Sequence, residues 1–318
     1  MLLAARLNSF QSRPGRPGRL PVPELLARAA SVRGLSAVDL NYPDHLHEPD
    51  TVRVAADLGL ALNGFAMRYY GDPALKAGAF THPDAAVRRA AIDLTKRGID
   101  ALAAAGGRLM TLWLGQDGFD HPFQCDYARL WALEVDGIRE VAAHDPGIDV
   151  AIEYKPSEPR AFSLLGDLGT TLLAIDEAGE PNLGVALDFA HLLYAGEQPA
   201  FAAALAVRRS RLLGVHLNDG YGRRDDGLMV ASVHPVQTVE LLRQLRRDGY
   251  QGALYFDTFP DAADLDPVAE CEANVATVRA LLAVVARLEA DNRLPDALER
   301  QDPMAGQAAL RRAMLGAP

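Results

Sequence analysis

Apolar positions along the chain alternate between two periods. Short apolar runs recur at 3–9, 37–40, 60–64, 109–114, 150–154, 183–188, 213–218 and 253–257. Between and after them, apolar residues fall three or four apart, which is one face of a 3.6-residue helix. The last stretch is the clearest, with Val268, Cys271, Val275, Val278, Leu282 and Val285 on a single stripe. Ile92, Ile99 and Leu102 mark a similar stripe that Gly106-Gly107 terminates. Eight short runs alternating with eight helical patterns predict a parallel sheet with its helices outside. The count of eight favours closure into a single (β/α)8 barrel over 1–290. A doubly wound dinucleotide fold lacks its signature, because no GxGxxG follows the first strand. The remaining 291–318 segment reads as a short helical extension that packs on the barrel or on a neighbouring subunit.

Composition narrows the classes. The 318 residues carry 42 acidic and 32 Lys+Arg side chains, a formal charge of −10. Such an acidic chain lacks the basic footprint that nucleic acid or an anionic membrane surface requires. Its length suits one α/β barrel with an ample core. Two cysteines far apart, Cys125 and Cys271, make neither a disulfide framework nor a CxxC metal pair. With no signal-like start and no long apolar run, the expected compartment is the reducing cytoplasm.

In such a barrel the chemistry sits at the carboxyl ends of the strands. The fifth run, AIEYKP, places Glu153 and Lys155 on one face. The sixth, GVALDFAHLL, gives Asp188 and, a turn later, His191. The seventh, LLGVHLNDG, gives His216, and the eighth, GALYFDTFP, gives Asp257. Singly, each has an ordinary role: a strand-end carboxylate caps the next helix, and a lone histidine hydrogen-bonds in the core. Together, Glu153, Asp188, His216 and Asp257 sit at equivalent depth on four consecutive strands. Three crowded carboxylates repel one another unless a cation lies among them. The mixed oxygen and imidazole set suits Mn²⁺, Co²⁺ or Mg²⁺ and, without thiolate, is not a structural zinc site.

Around these residues the chain resembles the xylose isomerase-like TIM-barrel family. DPALKAGAFTHPDAAVRRAAI resembles that family's stretch after strand three, and TLWLGQDG its strand-four motif, with Trp113 at the tryptophan that walls the sugar. AIEYKPSEPR puts Glu153 on a metal-bridging carboxylate and Lys155 on the lysine that meets the substrate oxygen. DFAH matches a carboxylate-x-x-His motif shared by two metals, and FDTFP carries the last metal carboxylate. Departures are as informative. Asp188 replaces the usual Glu and His216 the usual Asp, which is similar to the L-rhamnose isomerase-like ligand set. The second-metal loop, normally Asp-x-Asp-Leu, reads RRDDGL. Asp225 matches its first acid and Gly227 replaces its second, with Asp226 as a candidate substitute. Asn41 stands where a ring-opening histidine belongs, with His45 four residues on as its candidate replacement.

The resemblance implies a metal-dependent aldose–ketose isomerase acting by a hydride shift between C1 and C2. The first metal would be held by Glu153, Asp188, His216 and Asp257, and an uncertain second by Asp188, His191 and Asp225. Lys155 would polarise the substrate carbonyl. Trp113, Tyr70, His191, Asn41 and His45 would contact the sugar, and Arg160 would orient Glu153 or Glu158. The family also implies a homodimer or homotetramer. Ketose 3-epimerisation on the same barrel is the competing chemistry, with an inosose-type dehydration behind it. A degenerate, non-catalytic sugar-binding barrel is the competing class. A three-metal endonuclease fails on charge and on its missing ligands.

Overall fold

The computed structural model describes residues 2–15, 18–47 and 50–316. Eight parallel strands close into a barrel. They are β1 (Leu3–Arg6), β2 (Ala37–Tyr42), β3 (Ala61–Met67), β4 (Leu109–Trp113), β5 (Asp149–Glu153), β6 (Leu183–Asp188), β7 (Leu212–Leu217) and β8 (Leu254–Phe256). Each pairs with its neighbours in sequence, and β1 closes on β8 through Leu3, Ala4 and Ala5. All eight expected strands are present. β3 runs to Met67, beyond the expected end at 64, because β2 continues to pair with it as far as Tyr42, with one extra residue, Asn63, at a register shift opposite Val38/Asp39.

Helices α1 (Val22–Ser31), α2 (Thr51–Asp57), α3 (Ala85–Ala104), α4 (Tyr127–Ala142) and α5 (Leu168–Ala178) follow the first five strands in turn. After β6 come the short α6 (Phe189–Tyr194) and α7 (Pro199–Arg209); α8 (Pro235–Arg247) follows β7 and α9 (Pro267–Ala290) follows β8. Side chains of Asp84, Asp126, Asp167 and Asp266 accept hydrogen bonds from first-turn amides of α3, α4, α5 and α9. Each such cap satisfies a donor that the helix cannot, and stabilises it by about 1 kcal/mol. The stripe on α9 is buried at Cys271, Val275, Val278 and Val285. At the other end of α3, Gly106 takes the left-handed conformation (φ +74°) that lets Gly107 N donate back to Leu102 O.

The chain beyond α9 forms α10 (Leu294–Glu299) and α11 (Pro303–Leu315). α11 docks on the protein's own α9 end, and α10 packs on α11: Arg312 pairs with Asp291 at 2.8 Å, Arg287 Nε donates to Ala313 O, and Ala309 and Ala313 are buried. No helix of the described residues is long and apolar enough to cross a membrane.

At the mouth, the loops after β4 and β5 pair as a small antiparallel ribbon, Gly118–Phe119 against Phe162–Ser163. Arg160 ties this ribbon down through Asp120 (2.6 Å) and the carbonyls of Gln116 and Ala77. That corrects the expectation that Arg160 orients Glu153 or Glu158: its guanidinium fastens loops.

Candidate functional site

Strand register brings the four expected ligands to one level. Asp188 and His216 are direct partners across β6 and β7. Glu153 pairs with Ala186, two residues before Asp188, and His216 pairs with Tyr255, two before Asp257. Each of these two-residue steps returns a side chain to the same face. As a result, ligand atoms of Glu153, Asp188, His216 and Asp257 all lie within 4.8 Å of one another. Tyr255 packs its ring on the imidazole of His216, with centroids 4.5 Å apart.

Asp188 also performs the ordinary role. It caps α6 by accepting from His191 N, and Asn218 Nδ2 donates to both of its oxygens at 3.1 and 2.9 Å. Asn218 thereby fixes the carboxylate's orientation, as outer-shell partners of metal ligands do.

The residues fit a divalent cation. Among the described residues, His191 Nδ1, His216 Nδ1 and Asp225 Oδ1 are buried without a hydrogen-bond partner, a condition rare for buried polar atoms. His216 Nδ1 and His191 Nδ1 lie 3.4 and 3.6 Å from the same Glu153 oxygen. Electrostatics agree. Burial pushes the Asp188 carboxyl up to about 7, and neighbouring Asp225, Glu153 and Asp257 add to it. Burial opposes charge on the two imidazoles, but the carboxylates overcome it, holding His216 at about 9 and His191 at about 10. Without a metal, the cluster thus balances its acids with protons on the histidines. A bound cation replaces those protons, since a ligating imidazole is neutral.

The expected second set is less complete than the first. His191 Nε2 lies 3.1 Å from Asp225 Oδ2, and Lys155 Nζ stands 3.6 Å from that same oxygen. Without a metal, Asp225 is thus paired with an imidazole and an ammonium. Gly227 has φ +57°, and a Cβ there would meet the Phe259 ring at 2.2 Å, so no acid fits at that position without moving the ring. Asp226 does not compensate, contrary to expectation: it accepts from Tyr221 N and Arg224 Nε, with the guanidinium exposed.

Above the cluster lies a cavity of about 340 Å³, walled by Arg6, Arg68, Tyr70, Trp113, Lys155 and Phe259. His191, Asp225, Glu153 and Asp257 reach it from below. Lys155 is buried, 4.7 Å from the Trp113 ring centroid and 3.3 Å from Glu158. Tyr70 meets Trp113 edge to face, centroids 6.3 Å apart.

Two expected contacts lie elsewhere. Asn41 accepts from Arg68 Nε and stands behind the wall. His45 is also off the cavity, with both ring nitrogens engaged: Nδ1 accepts from Asn41 N, and Nε2 lies 2.6 Å from Asn8 Oδ1. Burial holds the His45 imidazole down at about 3. A histidine kept neutral by folding binds its proton more tightly when unfolded. Stability should therefore fall as pH drops below 6.5, by about 2 kcal/mol at pH 5 from this residue alone. Thermal unfolding of wild type and His45→Asn between pH 7 and 5 checks this: the variant should show the shallower decline.

Arg6, Arg68 and Phe259 were not anticipated as cavity wall. Arg6 ends β1 as Glu153 ends β5, so the same strand-end rule identifies it. Arg68 was hidden by the extra length of β3.

Fold and site together define a (β/α)8 barrel with a metal-competent cluster at its carboxyl mouth. The chain belongs to the xylose isomerase-like TIM barrel family, whose model matches residues 27–281. It is 30% identical over 207 residues to the xylose isomerase of Thermus thermophilus, covering 63% of this chain and 54% of that one. It is 28% identical over 233 residues to a probable sugar isomerase of Mesorhizobium japonicum, covering 69% and 52%. The chain thus spans about half the length of the curated relatives it matches. Among solved structures, a xylose isomerase domain protein from Alicyclobacillus acidocaldarius superposes with TM-score 0.64 at 19% identity, over 87% of this chain and 99% of that one. A D-tagatose 3-epimerase-like protein superposes with TM-score 0.69 at 15% identity, over 88% and 98%. These two likenesses speak for the fold.

Proposed function

We propose that the protein is a divalent-metal-dependent sugar isomerase, interconverting an aldose and a ketose by a hydride shift between C1 and C2. The observation that carries this reading is Lys155, a buried ammonium in the cavity directly above the four-ligand cluster. A divalent ion held by Glu153, Asp188, His216 and Asp257 would supply Lewis-acid polarisation of neighbouring sugar oxygens. Lys155 donates to the carbonyl oxygen as negative charge grows on it, from a position set before the substrate arrives. The His191 Nε2–Asp225 Oδ2 pair, beside Lys155, holds a proton within reach of the sugar hydroxyls and can pass it between the two oxygens. Trp113 and Tyr70 keep bulk water from the reacting carbons.

Similarity to proteins named xylose isomerase and probable sugar isomerase supports the same reading. The competing epimerase scheme sets two glutamates across the sugar as acid and base, on the fifth and eighth strands. Here β8 supplies Asp257, one methylene shorter, and that scheme leaves Lys155 without a role.

The test is a panel of aldoses and ketoses incubated with manganese-loaded protein in D₂O. Interconversion should stop on chelation and return on adding Mn²⁺, with the migrating hydrogen retained in the product. Complete solvent deuterium at the reacting carbon would replace the hydride shift with enolisation. No interconversion of any sugar would overturn the reading.

A further inference from the structure

The mouth of the barrel is divided. Strands β5 to β8 end in the acids and imidazole of the metal cluster. Strands β1 to β4 contribute nitrogen donors, and several of these have nothing to bind. Among the described residues, Arg6 Nε and Trp113 Nε1, and Asn41 Nδ2 behind the wall, are buried without a hydrogen-bond partner. Arg68, one residue past β3, uses Nε on the Asn41 carbonyl, and among the described residues neither of its terminal nitrogens makes a hydrogen bond or ion pair.

The charge of these arginines is only partly answered. Lys155 is flanked by Glu158 and Asp225. Among the described residues Arg6 has one carboxylate within ion-pair distance, Asp257, at a long 3.4 Å, and that carboxylate belongs to the metal set. The Arg6 guanidinium also lies 4.7 Å from the Phe259 ring centroid, held against an apolar face. Arg68 has the neutral amide of Asn41 as its partner. Both arginines line the same cavity as Lys155 and the cluster.

In an eight-strand barrel, β1 and β5 stand on opposite sides. The reacting end of a substrate at Lys155 therefore leaves its other end facing Arg6 and Arg68. A neutral sugar offers only hydroxyls there and leaves the two partly desolvated guanidinium groups with only Asp257, already engaged by the metal set, at ion-pair distance. A carboxylate or phosphate supplies both the charge and the planar or tripodal acceptors that a guanidinium fork matches. The cavity, about 340 Å³, is near the small end of ligand sites and suits one monosaccharide with a single such group.

We propose that Arg6 and Arg68 form an anion subsite, and that the substrate is a monosaccharide bearing a terminal carboxylate or phosphate rather than a neutral sugar. This rests on the sugar reading above and adds the substrate's class to it.

The experiment uses manganese-loaded protein and matched ligand pairs. Calorimetric titration compares an aldonate with its alditol, and a sugar phosphate with its parent sugar. Turnover compares a hexuronate with the matching hexose, and a pentose 5-phosphate with the pentose. The anionic member should bind more tightly, and Arg68→Ala should weaken it about 10- to 100-fold while changing the neutral member little. Manganese affinity should stay the same, and Arg68→Lys should recover part of the loss. Preference for the aldonate and hexuronate identifies a carboxylate; preference for the phosphate esters identifies a phosphate. Equal or better binding of the neutral members, loss of both members together in Arg68→Ala, or no binding of either, would overturn the proposal. The two readings fail separately. Isomerisation of neutral sugars alone would retain the isomerase and remove the anion subsite. Arginine-dependent anion binding without turnover would do the reverse.

Discussion

Lys155→Met is expected to lower kcat by about 100- to 1000-fold, the usual scale for losing one preorganised donor to developing negative charge. Manganese affinity should stay within about twofold, because the lysine is not among the four ligand residues. The ammonium is buried, against the Trp113 ring and between Glu158 and Asp225. Methionine keeps the length and the apolar stem while removing the charge and all three donors. Loss should therefore concentrate in kcat rather than in KM, since the interaction strengthens as the carbonyl oxygen becomes negative. Steady-state kinetics on any turned-over sugar, with a parallel metal titration, separate these quantities. A variant that keeps wild-type kcat would remove Lys155 from the chemistry.

Asp257→Asn should have the opposite pattern. It changes one oxygen of the cluster to an amide nitrogen with almost no change in shape. Manganese affinity should fall about 100-fold or more, at least the loss seen when outer-shell partners of a metal are removed. The metal-free protein should be no less stable than wild type. Burial is the main cause that holds the Asp188 carboxyl up at about 7, and the neighbouring carboxylates, Asp257 among them, add to it, so removing that charge relieves repulsion. Wild type should gain about 2.7 kcal/mol when Mn²⁺ is present at 100 times its dissociation constant. The variant should gain almost none at that concentration. Thermal unfolding with and without Mn²⁺ measures both effects. Equal metal-induced stabilisation of the two proteins would place the ion elsewhere.

The strand-end carboxylates were legible because the period-2 alternation of a strand and the carboxyl-end rule of barrels are local. Glu153, Asp188, His216 and Asp257 each follow from a short window around one apolar run. Closure of the barrel then needed only the count of eight. What lay out of reach depends on register and on loops. The shift at Val38/Asp39 inserts one extra residue, Asn63, into β3, which pairs with β2 as far as Met67 and brings Arg68 to the mouth, and no pattern within β3 announces it. The ring of Phe259 against Gly227 joins two loops 32 residues apart, so sequence shows a missing acid but not what fills its place. His45 was plausible as a polar residue near a strand end. Its sequestration arises from Asn8, which reaches it from the segment after β1.

The most direct measurement is a manganese-edge anomalous difference map from crystals grown in Mn²⁺. One strong peak is expected, touching Glu153, Asp188, His216 and Asp257, with none between His191 and Asp225. Absence of density among those four side chains would contradict the metal site on which the chemistry depends, and a second peak beside Asp225 would contradict the single-ion arrangement.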